Sequence, residues 1–344
     1  MKTAIAIDSL LLRDESIFLL ELILNLFPNS EIYTISHKQG GILGQIETRP
    51  IVSSFLTHRV SSVEDFKKNF WVIPSAVKAI PLHPSIEKVM VISRGYIHGL
   101  QLPKEVERHL YLLDWNFIDQ ASLGWQFFFR SFVNNWRETA LTQYHSIAVS
   151  SESLKLKLDL PNAEVIQPTF RTEEYPFVKD EDHNFLFTHQ LILTHGMSPK
   201  EFQSIVGFLL KKGESIKVLG PDEHLKHLVV HPHLEFGGDH CEATTALYSH
   251  QAKVLWDFSN NFFPSRAFGA LCTGRPVIVR DNQVNREFLK DGVSFIKELS
   301  GLEEIYLDVE NSYLGLDRRH LRRIGLKWNE RLFKSRISKF FGKA

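Results

Sequence analysis

Short runs of β-branched and aliphatic residues alternate with longer runs of helical periodicity along most of the chain. That alternation predicts an α/β protein built on parallel sheets. In the first half, Thr3–Ile7, Glu31–Ile35, Lys88–Ser93, His109–Leu113 and Ser146–Ser150 read as strands. Between the first two, Ile17, Leu20, Leu24 and Phe27 recur at helical spacing, and Pro28-Asn29 stops the helix. The aromatic-rich stretch from Trp125 to Trp136 reads as a long, buried helix whose rings belong to the core.

The second half restarts the pattern. Glu164–Gln167 closes the first unit, and Thr172-Glu173-Glu174-Tyr175 with Lys179–His183 forms a polar connector. Strands are then predicted at Phe185–Thr188, Ser215–Leu219, Leu234–Phe236, Lys253–Asp257 and Pro276–Val279. The helix after the first of these has a legible start. Ser198 caps it, Pro199 suits the first helical position, and Glu201 completes a capping box. Arg318 to Lys343 reads as one basic amphipathic helix, with Leu321, Ile324, Trp328, Leu332, Ile337 and Phe341 near one stripe. Two readings of it stand: a docking helix with a solvated basic face, or adhesion to an anionic bilayer surface. The resulting division is 1–170, 171–325 and a C-terminal helix over 326–344.

Composition narrows the class. A chain of 344 residues exceeds one comfortable core, so two domains are expected. With 40 basic and 40 acidic side chains the formal net charge is zero, which gives no support to nucleic-acid binding. Cys241 and Cys272 lack paired spacing, so a disulfide framework is not expected and a cytoplasmic location is. The apolar stretch Ile17–Phe27 is too short to span a bilayer and carries Glu21 and Asn25. The opening Met1–Asp8 reads as a first strand and not as a signal peptide. His224, His227, His231, His233 and His240 beside Cys241 match no zinc-module spacing, so no metal is expected. Neither a phosphate-binding G-x-x-x-x-G-K loop nor a G-x-S-x-G elbow occurs, and no bound cofactor is expected.

Particular segments carry a resemblance. Leu26-Phe27-Pro28-Asn29-Ser30-Glu31-Ile32-Tyr33-Thr34-Ile35, Ile46–Ile51 with Ser54-Phe55-Leu56, and Ile92-Ser93-Arg94-Gly95 with His98-Gly99 occur in that order. Ser150–Ser153, Val165–Pro168, Phe262–Ile278 and Leu326–Glu330 follow. Taken collinearly, the chain resembles the bacterial family 4 glycosyltransferases. The resemblance implies a GT-B fold: two doubly wound Rossmann-like domains facing across a cleft, with a C-terminal helix crossing back to the first. It also implies sugar transfer from a nucleotide-sugar donor to a glycan or lipid-linked acceptor, with retention, without a metal, in cell-surface polysaccharide or lipopolysaccharide assembly.

Breaking an anomeric C–O bond builds negative charge on the leaving diphosphate, and fixed cations with helix N-termini lower that barrier. The family's Arg and Lys for this task fall on Gln190 and His195. Its two glutamates, one for donor-sugar hydroxyls and one for the ribose, fall on Asn261 and Gly269. The helix start at Pro264-Ser265-Arg266 remains, with Arg266 a candidate substitute cation or a surface arginine. In the first domain the glycine-rich turn becomes Arg13-Asp14-Glu15-Ser16, where Asp14 either faces the acceptor or caps a helix. The family's sugar-contacting histidine falls in Leu113–Asn116, leaving Asp114 and Asn116 as sugar-side candidates, with Trp115 stacking on a sugar or buried in the core. Erosion at so many positions keeps a second class open: a catalytically inactive GT-B protein serving as partner glycosyltransferase subunit, scaffold or glycan-binding module.

Overall fold

The computed structural model describes residues 2–116, 118, 124–177, 188–238, 242–259, 261–289, 292–313 and 317–342. The chain divides into two compact units, one of residues 1–168 with 330–344 and one of 169–329. Both are parallel α/β sheets with helical crossovers, the architecture of the GT-B fold.

The first unit carries β1 (Thr3–Leu10), β2 (Glu31–His37), β3 (Ile51–Ser53), β4 (Lys88–Ser93), β5 (Glu107–Leu112), β6 (Ser146–Val149) and β7 (Glu164–Val165). Its helices are α1 (Glu15–Leu26), α2 (Val63–Lys68), α3 (Ile73–Lys78), α4 (Arg130–Leu141) and α5 (Glu152–Lys157). Strand order is β3-β2-β1-β4-β5-β6-β7, so the chain reverses its winding between β1 and β4. Registers such as Ile5↔Met90 and Ile5↔Ile32 bury β1 between neighbours, and every residue of β4 is buried. That is why these strands read as near-continuous apolar runs and not as alternating ones. Tyr33, Val91, Phe66, Phe70 and Val77 join them in one core.

The second unit carries β8 (His189–Leu193), β9 (Ile216–Leu219), β10 (Leu234–Phe236), β11 (Ala252–Asp257), β12 (Val277–Arg280) and β13 (Val293–Ile296). Its helices are α6 (Pro199–Lys211), α7 (Glu242–Gln251), α8 (Ser265–Cys272), α9 (Gln283–Phe288), α10 (Leu302–Tyr313) and α11 (Arg318–Gly325). The order β10-β9-β8-β11-β12-β13 places its reversal between β8 and β11. Ile192, Val218 and Trp256 pack beneath Phe202, Ile205 and Leu209 of α6. The Ser198–Glu201 capping box forms with both of its bonds, and Pro199 is the first helical residue.

Three expectations change. The strand expected at Phe185–Thr188 is β8, beginning at His189; residues 178–187 lie outside the described residues and Thr188 is not in a strand. A polar opening hides it in sequence, because His189 and Gln190 are buried and bonded inside the sheet. The Trp125–Trp136 stretch is not a buried helix. Gly124–Phe129 forms a 3-10 turn leading into α4, whose buried residues are Val133, Arg137 and Leu141, while most of the aromatic rings are exposed. The basic C-terminal stretch is two helices and not one. Leu321 and Ile324 of α11 are buried in the second unit, and α12 (Glu330–Phe340) belongs to the first. Phe333 and Ile337 of α12 are buried, and the following Phe341 meets Phe27 edge-on at 4.7 Å. Docking thus covers Phe333, Ile337 and Phe341, whereas Leu332, placed on the same stripe by the sequence, is exposed. Among the described residues no helix is long and apolar enough to cross a membrane.

Candidate functional site

In a doubly wound sheet, ligands settle beyond the carboxyl ends of the strands, near the reversal of winding. In the first unit that edge gathers Asp8, Asp14, Arg94 and Asp114, supplied from the ends of β1, β4 and β5. Asp14 caps α1, accepting at Oδ1 from the backbone N–H of Ser16 at 3.0 Å and Ile17 at 3.2 Å. Its second oxygen holds Arg94 Nη1 at 2.9 Å, and Arg94 Nη2 stands 3.9 Å from Asp114. Asp114 accepts from the N–H groups of Trp115 at 2.6 Å and Asn116 at 2.9 Å, and Asn116 is exposed. Asp14, Asp114 and Asn116 thus share one edge, the two aspartates joined through an arginine that the chemistry of the sequence had not singled out.

Two supports fix this edge. Asp8 is buried and accepts from the N–H groups of Arg94, Tyr96 at 3.0 Å and Ile97 at 2.7 Å. Burial pushes its carboxyl above the ordinary value, against the pull of those donors and of the Arg94 charge. Arg137 is also buried, its guanidinium over the rings of Trp115 at 4.0 Å and Tyr96 at 4.6 Å while it donates to the Gly95 carbonyl at 2.6 Å. Trp115 is therefore a buried packing residue, one of the two readings its sequence allows. An open groove of about 570 Å³ in the same unit is lined by Ser146, Glu164, Lys339 and Phe340, at the amino ends of β6 and β7. It lies at the opposite edge from the aspartates.

The second unit assembles a different set. The Thr194-His195-Gly196 loop leaves β8, and Arg266 enters from the first turn of α8. Arg266 Nη1 donates to His195 Nδ1 at 2.7 Å, so that ring carries its proton on Nε2. Arg280, the last residue of β12, donates to the Gly196 carbonyl at 3.2 Å and pairs with Glu201 at 2.9 Å. Its Nε is buried and has no hydrogen-bond partner among the described residues. The N-cap of α8 is Pro264, and among the described residues it gives no side-chain cap bond; Ser265 is buried at the first position and Asn261 is half-buried just before it. The loop approaches closely because residue 220 is glycine at φ +114°. A Cβ there would stand 2.6 Å from Thr194 Oγ1 and 2.8 Å from His195 Nδ1.

Two predicted positions have other work. Gln190 sits near the amino end of β8, buried, and its amide oxygen accepts from Trp256 Nε1 at 2.9 Å. That places it inside the sheet and away from the edge where His195 lies. Gly269 is buried in the middle of α8, where a Cβ would meet the Tyr175 ring at 2.3 Å. The missing side chain at 269 is a packing requirement, and Tyr175, itself fully buried, occupies the space a ribose-binding carboxylate would need. His240 and Cys241 lie outside the described residues, and among those described no three His, Cys, Asp or Glu side chains form a metal-binding group. Of the donor-side candidates, the structure therefore brings His195 and Arg266 together with Asn261 and Ser265 nearby in sequence, and adds Arg280. The signal for Arg280 was its place at the carboxyl end of an interior strand, where the switch-point rule directs attention.

Solved structures share this fold over the whole chain. Sucrose-phosphate synthase from Thermosynechococcus elongatus superposes with a TM-score of 0.73 at 10% identity, covering 100% of this chain and 99% of that one. Anabaena HepE, solved in complex with UDP and glucose, gives 0.65 at 10% identity over 100% of both chains. A glycosyltransferase from Rickettsia africae gives 0.64 at 12% identity, covering 99% of this chain and 98% of that one. At such identities the likeness establishes the GT-B fold and leaves function to the site. No family profile and no curated protein sequence matches the chain.

Proposed function

We propose that the protein transfers a sugar from a nucleotide-diphosphate donor to a glycan or lipid-linked acceptor in cell-surface polysaccharide assembly. The observation that carries this reading is the pair of guanidiniums, Arg266 and Arg280, fixed around the His195 loop at the carboxyl edge of the second sheet. Two cations and an uncapped helix start converge where a leaving diphosphate would gather charge. In this reading Arg266 replaces the cation that position 190 lacks, and His195 orients it. Asn261 and Ser265 would hydrogen-bond the donor, and Asp14, Asp114 and Asn116 would receive the hydroxyls of a sugar. A carboxylate suits a hydroxyl because it accepts without needing a countercharge. Anabaena HepE, bound to UDP and glucose on the same fold, supports a nucleotide sugar as the ligand. Retention and independence from a metal belong to the same proposal, as do a cytoplasmic location and boundaries near 170 and 325.

Titration calorimetry with a panel of UDP, GDP and ADP sugars tests it. At least one donor should bind with a Kd of roughly millimolar or tighter, and product should form when acceptor glycolipid is supplied. Tyr175 seated against Gly269 favours a second reading, a non-catalytic partner or scaffold for an active transferase. Folded protein that binds no donor would establish that reading and remove the first.

A further inference from the structure

The first unit holds a second cluster of reactive side chains, at the amino edge of its sheet and away from the aspartates. Strand register assembles it. Glu107 and His109 stand two apart on β5 and so share one face, while Lys88 of β4 pairs with Glu107 and Ser146 of β6 pairs with His109. The Ser146 hydroxyl donates to His109 Nδ1 at 2.6 Å, and His109 Nε2 donates to Glu107 Oε1 at 2.7 Å. An ionised carboxylate only accepts, so it fixes the ring proton on Nε2 and leaves Nδ1 a base toward the serine. Lys88, itself buried, holds the same Glu107 oxygen at 3.0 Å. Phe340 and Phe341 of the C-terminal segment stand edge-on to the buried His109 ring at 5.6 and 5.0 Å. Nucleophile, base and orienting carboxylate therefore lie in line, an arrangement recognised by geometry and not by sequence position.

The open groove of about 570 Å³ supplies the rest, because Ser146 lines it. Lys339 and Asn162 border the same groove, and an ammonium and an amide are groups that stabilise an oxyanion. Leu160 and Phe340 give it apolar walls, whereas Asp159 and Glu164 disfavour an anionic ligand. We infer that Ser146, His109 and Glu107 form a hydrolytic site for small neutral carboxylic esters. Ser146 Oγ attacks the ester carbonyl carbon as its proton passes to His109 Nδ1. The tetrahedral intermediate collapses, the bond to the alkoxy oxygen breaks, and that oxygen takes the proton from His109 as the alcohol leaves. Water, deprotonated by the same nitrogen, then cleaves the acyl–serine bond, giving the carboxylic acid and restoring the hydroxyl. This activity stands whether or not the second unit binds a nucleotide sugar.

Labelling with a fluorophosphonate, followed by peptide mapping, is the test, with hydrolysis of p-nitrophenyl acetate measured alongside. The phosphonyl adduct should fall on Ser146, and Ser146→Ala should abolish both the adduct and hydrolysis above the buffer rate. His109→Gln should slow labelling about 100-fold or more, and Glu107→Gln should slow it less. The Glu107 side chain is 47% exposed, so its variant tests the relay even where replacement of the buried His109 unfolds the protein. Burial holds the His109 ring below its ordinary value, opposed by Glu107 and helped by Lys88 and His145, while the C-terminal segment sets only phenylalanine rings against it. Labelling should therefore stay level from about pH 8 to 6.5 and fall only in more acid solution. No adduct on Ser146 of the folded protein, or labelling no faster than that of the denatured chain, overturns the inference. Equal labelling in the parent and in both relay variants overturns it too, and assigns the row of side chains to seating Phe340 and Phe341 alone.

Discussion

The two units meet the same topological problem with different balances of charge. At the first reversal, between β1 and β4, one arginine is held by Asp14 and stands near Asp114, with Asp8 behind it. At the second, between β8 and β11, two arginines flank a histidine loop, with Glu201 against one of them and the buried Asp257 at the end of β11. Carboxylates outnumber arginines at the first edge and equal them at the second, so the second repels a diphosphate less. A shared fold therefore leaves the division of labour to a few side chains at strand ends.

The largest expected effect breaks the second edge from beneath. Gly269→Glu should destabilise the second unit by about 3 kcal/mol or more, because its Cβ overlaps the Tyr175 ring and its charge is buried. Hydrogen exchange across α8 reads this out, and a stable variant with improved nucleotide binding would show that Tyr175 yields. Acid comes next and compares the units directly. Burial pushes His98 down to about 3 in the first unit, and burial and then Lys217 push His189 down to about 4 in the second. Unfolded, each titrates near 6.5, so the unfolded chain binds the extra proton and stability falls as pH drops below that value. The loss, on the order of a few kcal/mol, should be nearly equal in the two units down to about pH 4 and greater in the first unit only below that, so peptide-level exchange between about pH 4 and 3 distinguishes them. Equal loss below about pH 4 would mean the His98 cage of Ser93, Trp115 and Trp136 opens easily.

Third is Arg266→Ala, which should cost roughly 1.5–3 kcal/mol of donor affinity and leave unfolding unchanged. Smallest is Asp14→Ala, which removes a cap and an Arg94 partner for about 1 kcal/mol of first-unit stability. Asp14→Asn should retain most of the cap. If either variant weakens donor binding by calorimetry as much as Arg266→Ala does, the contrast between the two edges is wrong.

The interior strands were legible because their registers bury both faces, as in Lys88–Ser93 and, nearly throughout, Ala252–Asp257. The Ser198–Glu201 box was legible because capping is local chemistry. What failed was non-local. Gln190 is tolerable within β8 only because Trp256, distant in sequence, satisfies it. The aromatic stripe has a helix's period, but period alone cannot say which face turns inward. At the site, Asp14 and Arg266 were found as types, whereas Arg94 and Arg280 act through neighbours that only the folded sheet supplies.

One feature of the connectivity bears on synthesis. The second unit is a single continuous stretch, whereas the first needs residues from both sides of it. As translation proceeds at ~5–20 residues per second, residues 169–329 can complete their fold while the earlier sheet still waits. Until Phe333, Ile337 and Phe341 emerge, the Phe27 and Tyr111 side of that sheet has no cover. The nascent first half is thus the portion most in need of a chaperone.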